Sequence, residues 1–523
     1  MNTKETIIKN MMADPNVIVS EALSFAYQNA VNQNEANQGT SEKALQGVSL
    51  KIKAGECVVL CGKSGCGKTT FSRFLNGLSP SFFEGEMTGD GNVLEIKAGE
   101  APIEAYVSHV GSVFQNPKTQ YFNVDTTAEL AFPCENVGME PEKIKSRIAE
   151  CAESLCLEKL LNRSVFALSG GEKQRLAFGS ACMLNPEILV LDEPTSNLDQ
   201  VAMRQLHDLI AKKKREGCTI VIAEHRLAWI ADLTDRLVLF ENGTIAREWN
   251  HDELMQLDDK VLHKYGLRSL NLKPALEQLH QKKQMMNQIM KQIVMQDAEC
   301  ENNEKMRESL LAKSFFLEAK ALSVGYEKRQ SVLTVPYFWI SGGEIIGIMG
   351  HNGGGKSTFA STLCGLLAPV SGTISINGKE TRKKDRIKNS FLIMQDVNYQ
   401  LFLDSILEEV KMGAAHPQRA EEVLKKLDLW QFADRHPMSL SGGQKQRAAI
   451  ACAVLSEKNL ILFDEPTSGL DYWHMQQVGE QLQWLKEQNR AVLVITHDEE
   501  FAAKWCDRIL DLDSLNSETK NKN

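Results

Sequence analysis

A chain of 523 residues, 43% hydrophobic and 24% charged, has the make-up of a globular protein with room for two to four ordinary domains. Its net charge of −9 argues against a nucleic-acid binder, which usually presents a basic face, and no run approaches the roughly 18 apolar residues that a spanning helix needs. Twelve cysteines scattered without a C-x-x-C pair read as free thiols rather than a disulfide framework.

Taken in chain order, MNTKETIIKNMM lacks the apolar stretch and small-residue cleavage site of a secretory signal, so a cytoplasmic location is expected. A first domain is expected over 16–268. ALSFAY brings in Tyr27 ahead of a polar insertion, QNAVNQNEANQGTSE. ECVVLC reads as a buried parallel strand, and the residues after it, Gly62 to Thr69, fit G-x-x-x-x-G-K-S/T. Glycines in such a loop let successive N–H groups turn inward around a phosphate. Lys68 adds positive charge and Thr69 offers a hydroxyl to Mg²⁺. Cys57, Cys61 and Cys66 run from the strand into this loop and are not read as a metal site.

Gln115 in SVFQNPKTQ follows a short strand, where its amide can reach Mg²⁺ and water. LSGGEKQR (Leu168 to Arg175) opens a helix with Ser169, Gly170 and Gly171, a sequence suited to an anion but with no phosphate loop beside it. ILVLDEP ends an apolar strand in Asp192 and Glu193. Asp192 is expected to support the Mg²⁺ shell and Glu193 to polarise the water that attacks the γ-phosphate. His225, closing the strand of VIAEHRL, is expected to contact that phosphate and order the water.

Residues 269–314 read as a helical and polar linker. QKKQMMNQIMKQIVMQ sets Met286, Ile289, Met290 and Ile293 on one helical face, expected to pack on a domain, with partner binding as the other reading; polar AECENNEK follows. A second domain, expected over 315–516, repeats the first. IIGIMGHNGGGKSTF gives a phosphate loop from Gly350 to Ser357 with Lys356. Gln395 lies in LIMQDVNYQ, LSGGQKQR supplies Ser441, Gly442 and Gly443, LILFDEP ends in Asp464 and Glu465, and AVLVITH ends in His497. Ser169 and Ser441, Asp192 and Asp464, and His225 and His497 are each 272 residues apart, whereas Gln115 and Gln395 are 280 apart. The first copy has longer loops upstream. The tail SETKNKN is expected to be disordered.

Phosphate loop, glutamine loop, LSGGxKQR, strand-DEP, SNLD or SGLD and strand-His form the motif order of ABC-type ATPase domains, and the chain resembles two of them fused. The resemblance implies an α/β fold: two P-loop domains, each with a mainly parallel core sheet, an antiparallel β subdomain and a helical subdomain carrying LSGG. It implies ATP and Mg²⁺ as cofactors, with each ATP between the phosphate loop of one domain and the LSGG of the other. One site would then join Gly62, Lys63, Ser64, Gly65, Cys66, Gly67, Lys68, Thr69 and Thr70 to Ser441, Gly442 and Gly443. The other would join Gly350, His351, Asn352, Gly353, Gly354, Gly355, Lys356, Ser357 and Thr358 to Ser169, Gly170 and Gly171. Mg²⁺ would be held through Thr69, Gln115 and Asp192, and through Ser357, Gln395 and Asp464. Glu193, Glu465, His225, His497, Gln115 and Gln395 take the catalytic positions. Tyr27 and Tyr326 match the aromatic that stacks on adenine, and Asp199 and Asp471 the position that couples the sites.

FQNPKTQYF, ELAFPCEN, AEHRL and GHNGGGKSTF look more specifically like the fused ATPase subunits of energy-coupling factor (ECF) transporters, which import vitamins and metal ions. That resemblance implies a location on the cytoplasmic face of the membrane, with a polytopic coupling subunit and a substrate-binding membrane subunit as partners. A groove after the glutamine would take the coupling helices, with an acid pairing an arginine. Glu129 and Glu409 are the candidates by position, read as surface acids. MQDVNYQLF lacks the NPxTQ form, which implies two unlike grooves. A soluble ABC ATPase acting on ribosomes is the alternative; it calls for a long charged helical pair and a basic balance, where this chain has a short Met-rich linker and a net negative charge. A DNA-repair ABC ATPase would need zinc-spaced cysteines.

Overall fold

The computed structural model describes residues 15–28, 43–196, 198–295, 315–326 and 331–515. MNTKETIIKNMM, nearly all of the insertion after Tyr27, AECENNEK, SETKNKN and the side chain of Ile293 lie outside the described residues. The chain divides into two compact units, Met1–Asn271 with Gly469–Trp473, and Leu272–Ser468 with His474–Asn523.

In the first unit, β1 (Asn16–Tyr27) pairs antiparallel with β2 (Leu45–Lys53). The apolar run β3 (Cys57–Gly62) then enters the core and delivers the chain to α1 (Lys68–Leu75). β4 (Gly85–Val93) and β5 (Ile96–Lys97) return to the first sheet, in the order β2-β1-β4-β5. β6 (Val110–Val113) leads through the glutamine segment to three helices, α2 (Thr126–Asn136), α3 (Pro141–Ser154) and α4 (Gly170–Cys182). Then come β7 (Ile188–Asp192), α5 (Gln200–Arg215), β8 (Thr219–Ala223), β9 (Arg236–Glu241) and β10 (Thr244–Asn250). The core sheet runs β10-β9-β3-β8-β7-β6, parallel except for the β9–β10 pair. Its inner strands are continuously apolar because both faces are covered, so there is no solvent side to favour alternation.

The second unit begins with α6 (Lys273–Met295). Met286 and Met290 are buried in its core with Phe316 and Trp339, and the Lys282 ammonium donates to the carbonyls of Ala503 at 2.6 Å and Cys506 at 2.5 Å. The linker helix is therefore an integral part of this unit. Its unbranched methionines fit an irregular surface, each burial contributing about 1.5–3 kcal/mol.

The rest repeats the first plan: β11 (Phe316–Val324), β12 (Leu333–Ser341), β13 (Glu344–Met349), α7 (Lys356–Leu363), β14 (Ser371–Ile376), β15 (Lys379–Glu380) and β16 (Ser390–Ile393). After these come α8 (Ile406–Lys411), α9 (Ala420–Lys426), α10 (Gly442–Leu455), β17 (Leu460–Asp464), α11 (Tyr472–Glu487), β18 (Ala491–Ile495), α12 (Glu499–Trp505) and β19 (Arg508–Asp511). An antiparallel sheet β12-β11-β14-β15 stands beside a parallel sheet β16-β17-β18-β13-β19. Each unit thus has the expected α/β plan of parallel core, antiparallel β subdomain and helices carrying LSGG.

Candidate functional site

In both units an inner strand of the core sheet feeds the phosphate-loop sequence. After β3 the backbone turns through φ 134° at Gly62 and 110° at Gly67. A Cβ at Gly62 would meet the Phe240 carbonyl oxygen at 2.2 Å and one at Gly67 the Ala44 oxygen at 2.7 Å, so only glycine fits either place. Ser64, Gly65 and Cys66 lie between these two turns. α1 and α7 start at Lys68 and Lys356, leaving the N–H groups of their first turns outside the intrahelical ladder. Both lysines are buried and curl back over their loops. Lys68 Nζ donates to the carbonyls of Gly62 and Lys63, each at 3.0 Å, and Lys356 Nζ to those of Gly350 at 2.8 Å and His351 at 2.9 Å. A buried ammonium on neutral carbonyls would gain from an anionic acceptor, because charge-assisted bonds are stronger.

β7 and β17 bring an acid pair to each loop. The Thr69 hydroxyl donates to Asp192 Oδ1 at 3.2 Å, as the Ser357 hydroxyl does to Asp464 Oδ2 at 3.2 Å. Burial and the charge of Glu193 push the Asp192 carboxyl up to about 6, against the pull of Thr69 and Lys68. Burial raises Asp464 as well. A hard divalent cation beside the hydroxyl would favour the charged carboxylates, so these residues fit Mg²⁺. Among the described residues no group of three or more His, Cys, Asp or Glu is gathered for a metal, so phosphate oxygens would have to complete such a shell.

Glu193 and Glu465 follow at φ 43° and 50°, left-handed backbone that costs a non-glycine residue on the order of 1–2 kcal/mol. Their N–H groups are pinned to the carbonyls of Ala223 and Ile495 at 2.8 and 2.9 Å. Such strain at a repeated acid is a mark of function. The Gln115 amide donates to Glu193 Oε2 at 2.7 Å, and His225 Nε2 lies 3.3 Å from Glu193 Oε1. Burial alone would raise the Glu193 carboxyl, but His225, Lys68 and Gln115 outweigh it and hold it below its ordinary value. Glu193 is thereby held ionised while the neighbouring Asp192 carboxyl gives up its proton only near pH 6, which sets the two acids apart.

In the second unit His497 Nε2 lies 3.3 Å from Glu465 Oε1 and 2.8 Å from Asn352 Oδ1. Gln395 is exposed at the end of β16. His351 is clamped from outside: its N–H donates to the Asp513 carboxylate, with oxygens at 3.0 and 3.2 Å, and its Nδ1 lies 2.5 Å from Asp513 Oδ1. Gly353, Gly354 and Gly355 complete the turn into α7.

The LSGG serines cap helices. Ser169 and Glu172 form a reciprocal capping box at the start of α4, as Ser441 and Gln444 do at α10, and the serines face solvent with Gly170 and Gly442. A Cβ on Gly171 would strike Ala202 at 2.7 Å, whereas Gly443 has room. Asp199 caps α5 through the Ala202 N–H at 2.9 Å. The Tyr27 hydroxyl bonds Thr70 Oγ1 at 3.0 Å and accepts from Arg73 at 2.9 Å, while Tyr326 is exposed with its hydroxyl 3.3 Å from Thr358 Oγ1.

The expectation for Glu129 and Glu409 needs correction. They are 2% and 5% exposed, not surface acids. Glu129 Oε2 accepts the main-chain N–H groups of Phe122 at 3.0 Å and Asn123 at 2.8 Å; Glu409 Oε2 accepts those of Phe402 at 2.8 Å and Leu403 at 2.7 Å. Each acid fixes the segment after the glutamine instead of offering its charge outward. Two further glutamines brace the same segments. Gln120 bridges Phe114 N–H at 3.2 Å and the Ser112 carbonyl at 3.0 Å, and Gln400 bridges Met394 N–H at 3.2 Å and the Leu392 carbonyl at 2.8 Å. They stand 280 residues apart, like Gln115 and Gln395, and that shared offset was their signal.

The description ABC transporter matches residues 45–196 and 333–468 as a family model. A protein of Treponema denticola, named as a proposed ABC transporter ATP-binding protein, is 43% identical over 497 residues, covering 94% of this chain and 95% of that relative. One of like name from Methanosarcina mazei is 31% identical over 499 residues, covering 90% of this chain and 85% of the relative. Among solved structures, RNase-L inhibitor is similar with a TM-score of 0.56 at 20% identity, over 89% of this chain and 85% of that one, a likeness of fold alone. With two family matches set on its two phosphate loops and acid pairs, the chain belongs to the ABC transporter family as an ATP-hydrolysing, ATP-binding protein.

Proposed function

We propose that ATP hydrolysis by this chain powers a membrane transporter of the ECF type, taking up a vitamin or a metal ion. The observation that carries this reading is the surface after each glutamine. Phe122, 76% exposed, and Val124 lie on the segment held by Glu129; Tyr399 and Phe402, 82% and 62% exposed, lie on the one held by Glu409. Two loops presenting large apolar side chains, the first directly joined to the Gln115 that touches Glu193, suit the apolar flank of a membrane subunit's helix. No helix among the described residues is long and apolar enough to cross a membrane, so a separate polytopic subunit would supply the path. The chain would then sit peripherally on the cytoplasmic face.

In this reading the phosphate loops and Lys68 or Lys356 hold the phosphates, and Thr69 with Asp192, or Ser357 with Asp464, holds Mg²⁺, which neutralises phosphate charge when bound. Glu193 and Glu465 orient and polarise water, His225 and His497 order it against the γ-phosphate, and Gln115 and Gln395 link the acid to the coupling segment. Tyr27 and Tyr326 flank adenine. Ser169 and Ser441, with their glycines, complete the ATP site of the opposite domain, so that binding closes the pair and product release reopens it.

Affinity purification from detergent-solubilised membranes tests the transport reading: a polytopic membrane protein is expected to accompany the chain. Its absence, with salt-sensitive sedimentation on ribosomes in ATP, would favour the alternative of a soluble translation ATPase.

A further inference from the structure

The strand after the acid pair ends differently in the two units. β8 runs on through Glu224 to His225, β18 through Thr496 to His497. Glu224 is 2% exposed and has no role in the reading above. Its Oε1 accepts the main-chain N–H groups of His225 at 2.7 Å and Arg226 at 3.1 Å, and its Oε2 accepts the hydroxyl of Thr195 at 2.6 Å. Thr195 stands two residues beyond Glu193. One carboxylate therefore ties the turn carrying the acid to the turn carrying the histidine.

The second unit lacks this tie. The Thr496 hydroxyl accepts from the Asp498 N–H at 3.0 Å and the His497 N–H turns to Glu465 Oε2 at 3.3 Å. Thr467, the counterpart of Thr195, keeps a buried hydroxyl with no hydrogen-bond partner among the described residues. An unsatisfied buried hydroxyl costs free energy, and in the first unit the longer acid removes that cost. Burial pushes the Glu224 carboxyl above its ordinary value, as does the charge of Glu193, while its donors pull the other way. A buried acid with both oxygens engaged is a stiff connector, because none of its bonds competes with water.

We propose that Glu224 is a positioning residue of the first unit: by holding both turns it sets the His225 ring against the Glu193 carboxylate, a task that in the second unit falls partly on Glu465 itself. The inference rests on the assignment of Glu193 and His225 to hydrolysis. The first unit's acid thus keeps its oxygens for Gln115, His225 and water, whereas Glu465 shares one with a backbone N–H.

The test uses the full chain with Glu465→Gln, so that turnover reports Glu193, and follows kcat and KM for Mg-ATP. Glu224→Thr, the residue of the second unit, is expected to lower kcat about 10-fold with KM changed less than about 2-fold. Glu224→Gln keeps an oxygen for the two N–H groups and an amide for Thr195, and is expected to recover most of the rate. Added to His225→Ala, Glu224→Thr is expected to cause no further loss, since it acts through that ring. Thr195→Val severs the other end of the tie, is expected to lower kcat about 3-fold, and decides the matter if Glu224→Thr fails to fold. Unchanged kcat in folded Glu224→Thr or Thr195→Val, or losses that add to that of His225→Ala, would overturn the proposal. If His225→Ala itself turns over normally, the assignment of the site falls and the proposal with it.

Discussion

The two candidate catalytic corners share a sequence plan and differ in what braces it. In the first unit Gln115, His225 and Glu224 converge on Glu193 and the turns about it. In the second, Asn352 reaches from the phosphate loop to His497 at 2.8 Å, and Asp513 clamps His351. The first unit holds its histidine from behind, through the strand end; the second holds it from the front, through the loop that would take the phosphates. Equal motifs therefore do not imply equal sites. The bracing residues lie between the motifs, and they set how firmly each group is placed.

The largest effect should come from the acids. Glu193→Gln with Glu465→Gln is expected to lower steady-state ATP hydrolysis on the order of 100-fold or more, while ATP still binds. Undiminished phosphate release would remove both acids from the chemistry. The single variants sharpen the comparison: unequal losses would show that the two corners turn over at different rates.

Glu129→Ala and Glu409→Ala strip the buried acceptor from two main-chain N–H groups each, and each is expected to destabilise its segment by about 1–3 kcal/mol. Hydrogen exchange should rise at Phe122 and Asn123, or at Phe402 and Leu403, with basal ATPase less affected than recovery of a membrane partner. Protection unchanged at those amides would contradict the bracing role.

Asp192 gives a pH signature. Its folded carboxyl, at about 6, lies above the ordinary 3.8, so its contribution to stability is fully present below about 4 and lost as pH rises through 6. Asp192→Asn should remove that loss, on the order of 3 kcal/mol, raising Tm relative to the parent at pH 7 but not at pH 4. Equal differences at both values would refute the buried-acid account.

The smallest effect concerns the clamp. Asp513→Ala frees His351 at the root of the second phosphate loop and is expected to raise KM for ATP about 2-fold, measured in the Glu193→Gln background. A changed kcat with unchanged KM would place Asp513 in the chemistry instead.

Much of this was legible in the residues themselves. The 272-residue offset fixed the tandem plan, and strand-loop-lysine and strand-acid-acid patterns located each loop and acid pair, because glycine spacing and apolar runs are local signals. Ser169 with Glu172, and Ser441 with Gln444, could be read as capping boxes from spacing alone. Glu129 and Glu409 were found by position but misjudged: an acid in the first turn of a helix looks solvated until the preceding segment folds back and supplies its N–H donors. Nothing local in AEHRL marks Glu224, since its partner Thr195 lies 29 residues away on another strand's turn.

The sequence by itself determined the repeat, the order of strands and helices, and the residue types able to bind phosphate and polarise water, all of which depend on neighbours within a few residues. Only the tertiary structure decided which of those side chains are braced and by what. Strained glutamates, buried acids on loop amides and a histidine tied to its own loop or to a distant threonine arise where separate strands end side by side, and burial there turns ordinary polar residues into fixed parts of a site.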